Sequence, residues 1–446
     1  MKFASKFAIA LSVGALAVSA VTPAAAQNKS KKEKNAKAVE APKRNYSPEF
    51  RKAFAPALDL FSKNKDAAGA KAAFPSVVAA IKNDDDRYEA GVFAINVGAQ
   101  LKDMKFQQEG IDLLLASATT PANLKTQYLF QKGAIAFDAK DFAGAEKHMI
   151  DAYNAGHRGN NVEYLISTAQ SQLNKNTEAM TWLTKAIDAG RAAGKVDKTY
   201  LIRAANIAAK AKDYKGAAGW YKQLAQTERS ADYWHDALVF FDRSLTLDPE
   251  ETLDLMRLMR ATDALRFQQE YAQYLDSLSY IGVRYPAEAV AVLDEGFAKG
   301  IISRSNVTFG ERYNEAKGRL AEDTRTLPSA LTPATAANAK GILTSLTGDS
   351  FYSHKNYKTA KDLYEAALQK GAVLDKDGKN QTDRTRFRLA MSKAMLGDYA
   401  GAKADFALVT GANRKAIAEY WVMYVDQKAN PASAAPAAPA VTPVTS

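Results

Sequence analysis

The chain repeats itself, and the repeat restricts what it can fold into. Asp141-Phe142-Ala143-Gly144-Ala145-Glu146, Asp213-Tyr214-Lys215-Gly216-Ala217-Ala218, Asn356-Tyr357-Lys358-Thr359-Ala360-Lys361 and Asp398-Tyr399-Ala400-Gly401-Ala402-Lys403 share one pattern. Each sets a polar residue and an aromatic at a turn, then a small residue one helical turn later. Aligning on that small residue selects Ala70, Gly110, Ala145, Ala179, Ala217, Ala289, Ala360 and Ala402, with spacings of 40, 35, 34, 38, 72, 71 and 42. The two long gaps are about twice the others, so each is expected to hide one degenerate unit.

Positions not used for the alignment obey it as well. Twelve residues upstream stand Leu58, Gly98, Gly133, Ser167, Ala205, Ser277, Gly348 and Ala390, small in all cases but the first. Four residues downstream stand Phe74, Leu114, Met149, Leu183, Tyr221, Leu293, Tyr364 and Phe406, all bulky. Small residues on both sides of a turn let two antiparallel helices approach closely, and the bulky residue fills the groove towards the next pair. A two-helix unit of about 34 residues cannot bury its apolar face alone and must stack.

This pattern resembles the tetratricopeptide repeat (TPR), whose helix A carries an aromatic, Leu-Gly and Tyr, and whose helix B carries Ala, Phe/Tyr and Ala. Gly348, Tyr357, Ala360, Tyr364 and Ala367 match it in one unit, and Gly133, Phe142, Ala145, Met149 and Ala152 in another. The resemblance covers most of residues 50–425 and implies an all-α, right-handed superhelical solenoid of antiparallel helix pairs. Its close-packing positions would be Gly98, Gly110, Gly133, Ala145, Ala179, Ala205, Ala217, Gly348, Ala360, Ala390 and Ala402. Residues 46–231 and 341–428 carry the clearer repeats. Within 232–340 the match is poor, but the apolar faces Leu253/Met256/Leu258/Met259 and Phe309/Tyr313/Ala316/Leu320 still read as helical, with Pro328 and Pro333 marking a long loop. Ile417 to Val425 reads as a terminal capping helix.

The flanks differ in composition. Met1-Lys2-Phe3-Ala4-Ser5-Lys6, an apolar run from Phe7 to Val21, and Ala24-Ala25-Ala26 before Gln27 read as a cleaved secretory signal peptide over 1–26, with the mature chain expected to begin at Gln27. Export to the periplasm of a Gram-negative bacterium follows as an expectation, with secretion as the alternative. Residues 27–45 hold seven Lys/Arg against two Glu, and 429–446 form a Pro/Ala tail; both read as disordered. Much of the formal charge of +11 sits in the leader and this arm, so the basic balance does not argue for nucleic acid. The arm is a candidate for weak contact with an anionic membrane surface.

With no cysteine and four histidines, the chain cannot build a thiolate metal site, a disulfide framework or a cysteine nucleophile. Gly348-Asp349-Ser350 looks like a hydrolase block but falls inside a helix A. Asp375-Lys376-Asp377-Gly378-Lys379-Asn380 looks like a calcium loop but has its glycine at the fourth position and Arg386 where the bidentate Glu belongs. His148, His157, His235 and His354 read as packing or surface residues, and Asn83-Asp84-Asp85-Asp86 as an acidic turn opening a helix. No cofactor is expected.

What remains is a binding surface. In TPR proteins exposed residues of helix A contact the ligand, which implies Phe130, Ala134 and Phe137, then Tyr164, Thr168 and Gln172, then Arg203, Asn206 and Lys210 as a peptide-binding groove. Arg203, Asn206 and Lys210 share one helix face, where two cations and an amide suit a carboxylate. The chain thus reads as an exported, non-enzymatic scaffold that binds a protein or peptide partner through a concave surface lined by the A helices in the cell envelope. The alternative is a helical accessory of peptidoglycan or polysaccharide processing or transport, similar in architecture to lytic transglycosylases but with no repeat-free stretch long enough for a catalytic domain.

Overall fold

A turn that recurs between paired helices organises the chain. In the computed structural model, which describes residues 44–279 and 284–431, Lys102, Lys140, Lys212 and Lys355 take left-handed backbone conformations with φ between 55° and 61°. The next residue then returns its N–H to a carbonyl five positions back: Asp103 to Gly98, Asp141 to Ala136, Asp213 to Ala208 and Asn356 to Phe351, at 2.8–3.0 Å. This terminates helix A and satisfies its last carbonyls. The same Asp or Asn opens helix B as its N-cap; Asp141 accepts from Gly144 N, Asp213 from Gly216 N and Asp398 from Gly401 N, at 2.9–3.0 Å. At these glycines an added Cβ would lie 2.1–2.3 Å from the capping carboxylate, which would have to swing aside; Phe106 and Thr359 take the same position in the caps of Asp103 and Asn356.

The chain divides into two compact units at Ala186/Ile187. The first holds α1 (Pro48–Ser62), α2 (Ala67–Ala79), α3 (Asp84–Leu101), α4 (Met104–Ala116), α5 (Ala122–Asp138), α6 (Phe142–Asn154), α7 (Val162–Gln172) and most of α8 (Asn176–Ala192). The second holds α9 (Lys198–Lys210), α10 (Tyr214–Glu228), α11 (Ala231–Arg243), α12 (Pro249–Ala261), α13 (Gln268–Ser279), α14 (Pro286–Ala298), α15 (Val307–Thr326), α16 (Leu331–Thr335), α17 (Gly341–Ser353), α18 (Tyr357–Gln369), α19 (Thr382–Met395), α20 (Tyr399–Ala407) and α21 (Ala412–Ala429). The fold is all-α and TPR-like. The leader 1–26, the arm up to residue 43 and the tail from 432 lie outside the described residues.

The expected close-packing positions are buried throughout: Ala145, Ala179, Ala205, Ala217, Ala360, Ala390 and Ala402 expose nothing, and Gly98, Gly110, Gly133 and Gly348 are buried too. All eight bulky positions, from Phe74 to Phe406, are buried beside them. The α11/α12 pair occupies the first long gap. The second is filled by α15 followed by a 3-10 turn, Leu327–Ala330, and the short α16, so the stretch around Pro328 and Pro333 is partly helical rather than an open loop.

Two stretches near the amino end are more ordered than their composition suggests. Arg44 and Asn45, counted with the arm, are anchored: Asn45 N donates to Asp85 at 2.8 Å and the Arg44 guanidinium stacks 3.3 Å from the Tyr88 ring. The acidic turn is their receptor as well as the start of α3. Asp86 is fully buried and accepts from Ser47 N, Ser47 Oγ and Lys82 N.

Replacing Ala145 or Ala360 with Leu is expected to overpack a helix crossing and cost about 1–3 kcal/mol. Ala404→Leu, on the exposed face of α20, should leave stability within about 0.5 kcal/mol of wild type. Urea denaturation midpoints check this, and equal shifts for both classes would contradict the repeat register.

Candidate functional site

The residues expected to line a groove are placed unevenly. On α9, Leu201, Ala205 and Ala208 pack inward while Asn206 and Lys210 are exposed and Arg203 is half-buried, as the helical period requires. On α5, Phe130 corrects the expectation. It is 7% exposed, stacks on His157 with centroids 4.4 Å apart, and packs with Met149, Val162 and Ile166, so its ring fills the space towards α6 and α7 rather than facing a ligand. Ala134 and Phe137 are half-buried, Phe137 meeting Phe142 edge-on at 5.6 Å. Tyr164 and Thr168 are half-buried on α7, Thr168 Oγ1 donating to Tyr164 O at 2.8 Å, and Gln172 is exposed.

In the second unit the structure assembles a constellation that the sequence reading missed. Glu250 and Asp254 lie one turn apart on α12, and Arg384 and Arg388 one turn apart on α19. Arg388 Nε donates to Asp254 Oδ1 at 3.0 Å, Arg384 Nε donates to Glu250 at 3.1 Å, and Arg388 also pairs with Glu250 across 138 residues of chain. Asp349 on α17 is the second hub. It is fully buried, pairs with Arg384 and Arg388, and accepts from Tyr364 OH at 2.6 Å and Tyr285 OH at 3.2 Å. Burial alone would raise the Asp349 carboxyl; the Arg384 and Arg388 guanidiniums outweigh it and bring it down to about 2. Asp349 therefore belongs to a structural ion-pair hub, inside the helix where the sequence placed it.

The last helix, α21, lies against this hub and against the start of the unit. Arg414 Nε donates to Asp254 Oδ2 at 3.2 Å and Trp421 Nε1 to Asp254 O at 3.4 Å. Further along, Trp234 Nε1 donates to Gln427 Oε1 at 3.1 Å, Gln427 Nε2 to Ala225 O at 2.8 Å, and Lys222 pairs with Glu419 at 3.1 Å. Tyr420 packs on Phe241 with centroids 4.8 Å apart. The expected capping helix thus covers α20 and also reaches α10, α11 and α12. This explains the poor repeat match of residues 232–270: α12 is buried nearly all round, and Asp254 and Arg257 stand where an outward-facing helix would carry solvated residues.

The remaining motifs resolve into structure. Asp375 accepts from Asp377 N, Lys379 N and Gln381 Nε2 at 2.9–3.0 Å, so the calcium-like loop satisfies its own carboxylate. His235 is held between Asp236 and Glu270 at 2.9 and 2.8 Å; burial would lower it, but the two carboxylates raise it to about 9. His354 pairs with Asp323. Among the described residues no group of His, Asp and Glu could hold a metal ion, and no helix is long and apolar enough to cross a membrane.

No protein-family model matches the chain, and no curated protein does. Among solved structures, a tetratricopeptide repeat protein from Parabacteroides merdae ATCC 43184 is 11% identical over 69% of this chain and 98% of its own, with a TM-score of 0.29. PilF from Pseudomonas aeruginosa is 15% identical over 53% of this chain and 95% of its own, with a TM-score of 0.24. The TPR2AB domain in the yeast Sti1–pHSP90 complex is 15% identical over 69% and 97%, with a TM-score of 0.22. The TPR-like class of this chain stands on its own turns and helix crossings.

Asp349→Asn should leave Arg384 and Arg388 under-compensated in the interior and cost on the order of 3–5 kcal/mol at pH 7. The carboxyl falls from 3.8 to about 2 on folding, so its contribution is present above pH 3.8 and is lost as pH falls through 2. The gap between the urea midpoints of wild type and variant should therefore narrow, without closing, as pH falls from 4 to 2; a gap that stays constant over that window would contradict the hub.

Proposed function

We propose that the chain is an exported, non-enzymatic scaffold that binds a protein or peptide partner on the outward faces of its helix pairs in the bacterial envelope. The observation that supports this most is α21. An 18-residue helix of the chain is seated on α10–α12 by an aromatic anchor, Trp421, by a rim of Asn413, Arg414, Glu419 and Gln427, and by a main-chain carbonyl at Ala225. That is helix-in-groove recognition made within one chain, with a buried aromatic at its centre and polar contacts around it. The packing that builds the pairs, small residues at the crossings and bulky ones in the grooves, leaves the outward positions free to vary with a partner.

On α9 those outward positions carry Asn206 and Lys210, which are exposed and opposite the buried Leu201, Ala205 and Ala208. Such a face can take an acidic segment or a chain-terminal carboxylate without disturbing the fold. The export assignment rests on residues 1–26, and the non-enzymatic assignment on a chain whose singled-out motifs are absorbed by packing.

The test is crosslinking capture from the periplasm with wild type and an Asn206→Ala/Lys210→Ala variant. The variant should keep the wild-type circular dichroism and melting temperature, since exposed polar groups contribute little to stability. It should capture the partner more weakly, with a shallower loss of capture as salt is raised. Capture at wild-type strength and salt dependence would remove this face from the site, and absence of the mature chain from the periplasm would overturn the export assignment.

A further inference from the structure

A cavity of about 340 Å³ opens inside the second unit beside the ion-pair hub, walled by α12, α13, α14, α17, α18 and α19. Its size is that of a small-ligand pocket. Its walls are charged in a particular way. Arg257 uses Nε and Nη2 on Glu288, at 2.9 and 2.7 Å, and Arg260 uses the same two nitrogens on Glu295. Both guanidiniums are thereby fixed in plane by a side-on carboxylate, and both keep the end edge that contains Nη1.

For Arg257 that edge is unsatisfied by hydrogen bonding. The residue is 3% exposed, its Nη1 has no hydrogen-bond partner, and the nearest carboxylate to it, Asp254, is 3.9 Å away. That nitrogen is closed off from solvent on the Asp254 side, so Arg257 contributes positive charge to the inner wall rather than a donor to the cavity. Lys355 adds a third cation, its side chain 57% exposed and its Nζ 3.9 Å from Glu295. Three cations against Glu288 and Glu295 leave the lining one positive charge in excess. Tyr357 completes the wall: burial raises its phenol, so it stays protonated and can donate a hydrogen bond.

We propose that this cavity is a binding site for a small oxyanion, a carboxylate or phosphate group, received by the end edge of Arg260 with Lys355 as the outer cation, while Arg257 holds the inner wall. Glu288 and Glu295 orient the two guanidiniums and do not neutralise the site. The site shares no residue with the α9 face, so neither depends on the other.

Isothermal titration at constant ionic strength tests it, with inorganic phosphate and citrate as the two oxyanion probes and sucrose as the neutral control. At least one anion should bind saturably with one site per chain, and sucrose should not. Lys355→Glu places its change on an exposed side chain, and Arg260→Gln leaves the partly exposed Glu295 in contact with Lys355. Both should fold as wild type by circular dichroism and weaken the anion at least about tenfold. Phosphate binding without citrate binding, or the reverse, assigns the group. No saturable binding of either anion, equal binding of sucrose, or anion binding unchanged in the Lys355→Glu chain would overturn the proposal.

Discussion

Two helix backbones can approach closely only where the side chain between them is missing or is a single methyl group, and that steric fact underlies the helix pairs of this chain. A Cβ on Gly133 would lie 2.6 Å from Met149 Cγ and 3.0 Å from its backbone nitrogen, and one on Gly110 would lie 2.7 Å from the Gly91 carbonyl oxygen. At Gly348 the neighbour is the ring of Tyr364, 2.9 Å away. These crossings set the distance within each pair, the left-handed turn sets its direction, and the bulky residue four positions on fills the space towards the next pair. Because each pair is incomplete alone, burial in one unit is completed by its neighbours.

The second unit adds a constraint the repeat does not need. Four carboxylates, Glu250, Asp254, Glu288 and Asp349, meet Arg257, Arg284, Arg384, Arg388 and Arg414 in a largely buried cluster. Taking these charges out of water offsets most of what their attraction returns, so the cluster adds little net stability. Its effect is on register: α12, α17, α19 and α21 meet in the one arrangement that leaves no ion alone. The cavity beside Arg257 lies at the edge of that cluster, where pairing is complete on one side of the guanidinium only.

The repeat was legible because its constraint is local: the cap, the turn, the small residue and the bulky one lie within a span of about one helix pair. The hub was not, because its partners are separated by up to 138 residues and each looks alone like a solvated charge. A trace was present in Glu250/Asp254 and Arg384/Arg388, like-charged pairs at i, i+4 on helices with apolar neighbours, which are unfavourable unless an opposite pair faces them. Phe130 failed as a groove residue for a related reason. Position along helix A places an aromatic towards the ligand side, but the reach of the ring is decided by what stands opposite, and here His157 does. The residues 232–270 lost their repeat signature because α21 covers them.

The seating of α21 carries the account, since it explains the buried α12, the hub and the mode of recognition assigned to the helix pairs. Hydrogen–deuterium exchange of the intact chain, read by fragment, measures it directly. Amides of Ala412–Ala429 should exchange as slowly as those of α12 and α19, because they open only when the second unit opens. Exchange as fast as at a frayed chain terminus, with α12 and α19 still protected, would show that the helix is not held there and would contradict the account.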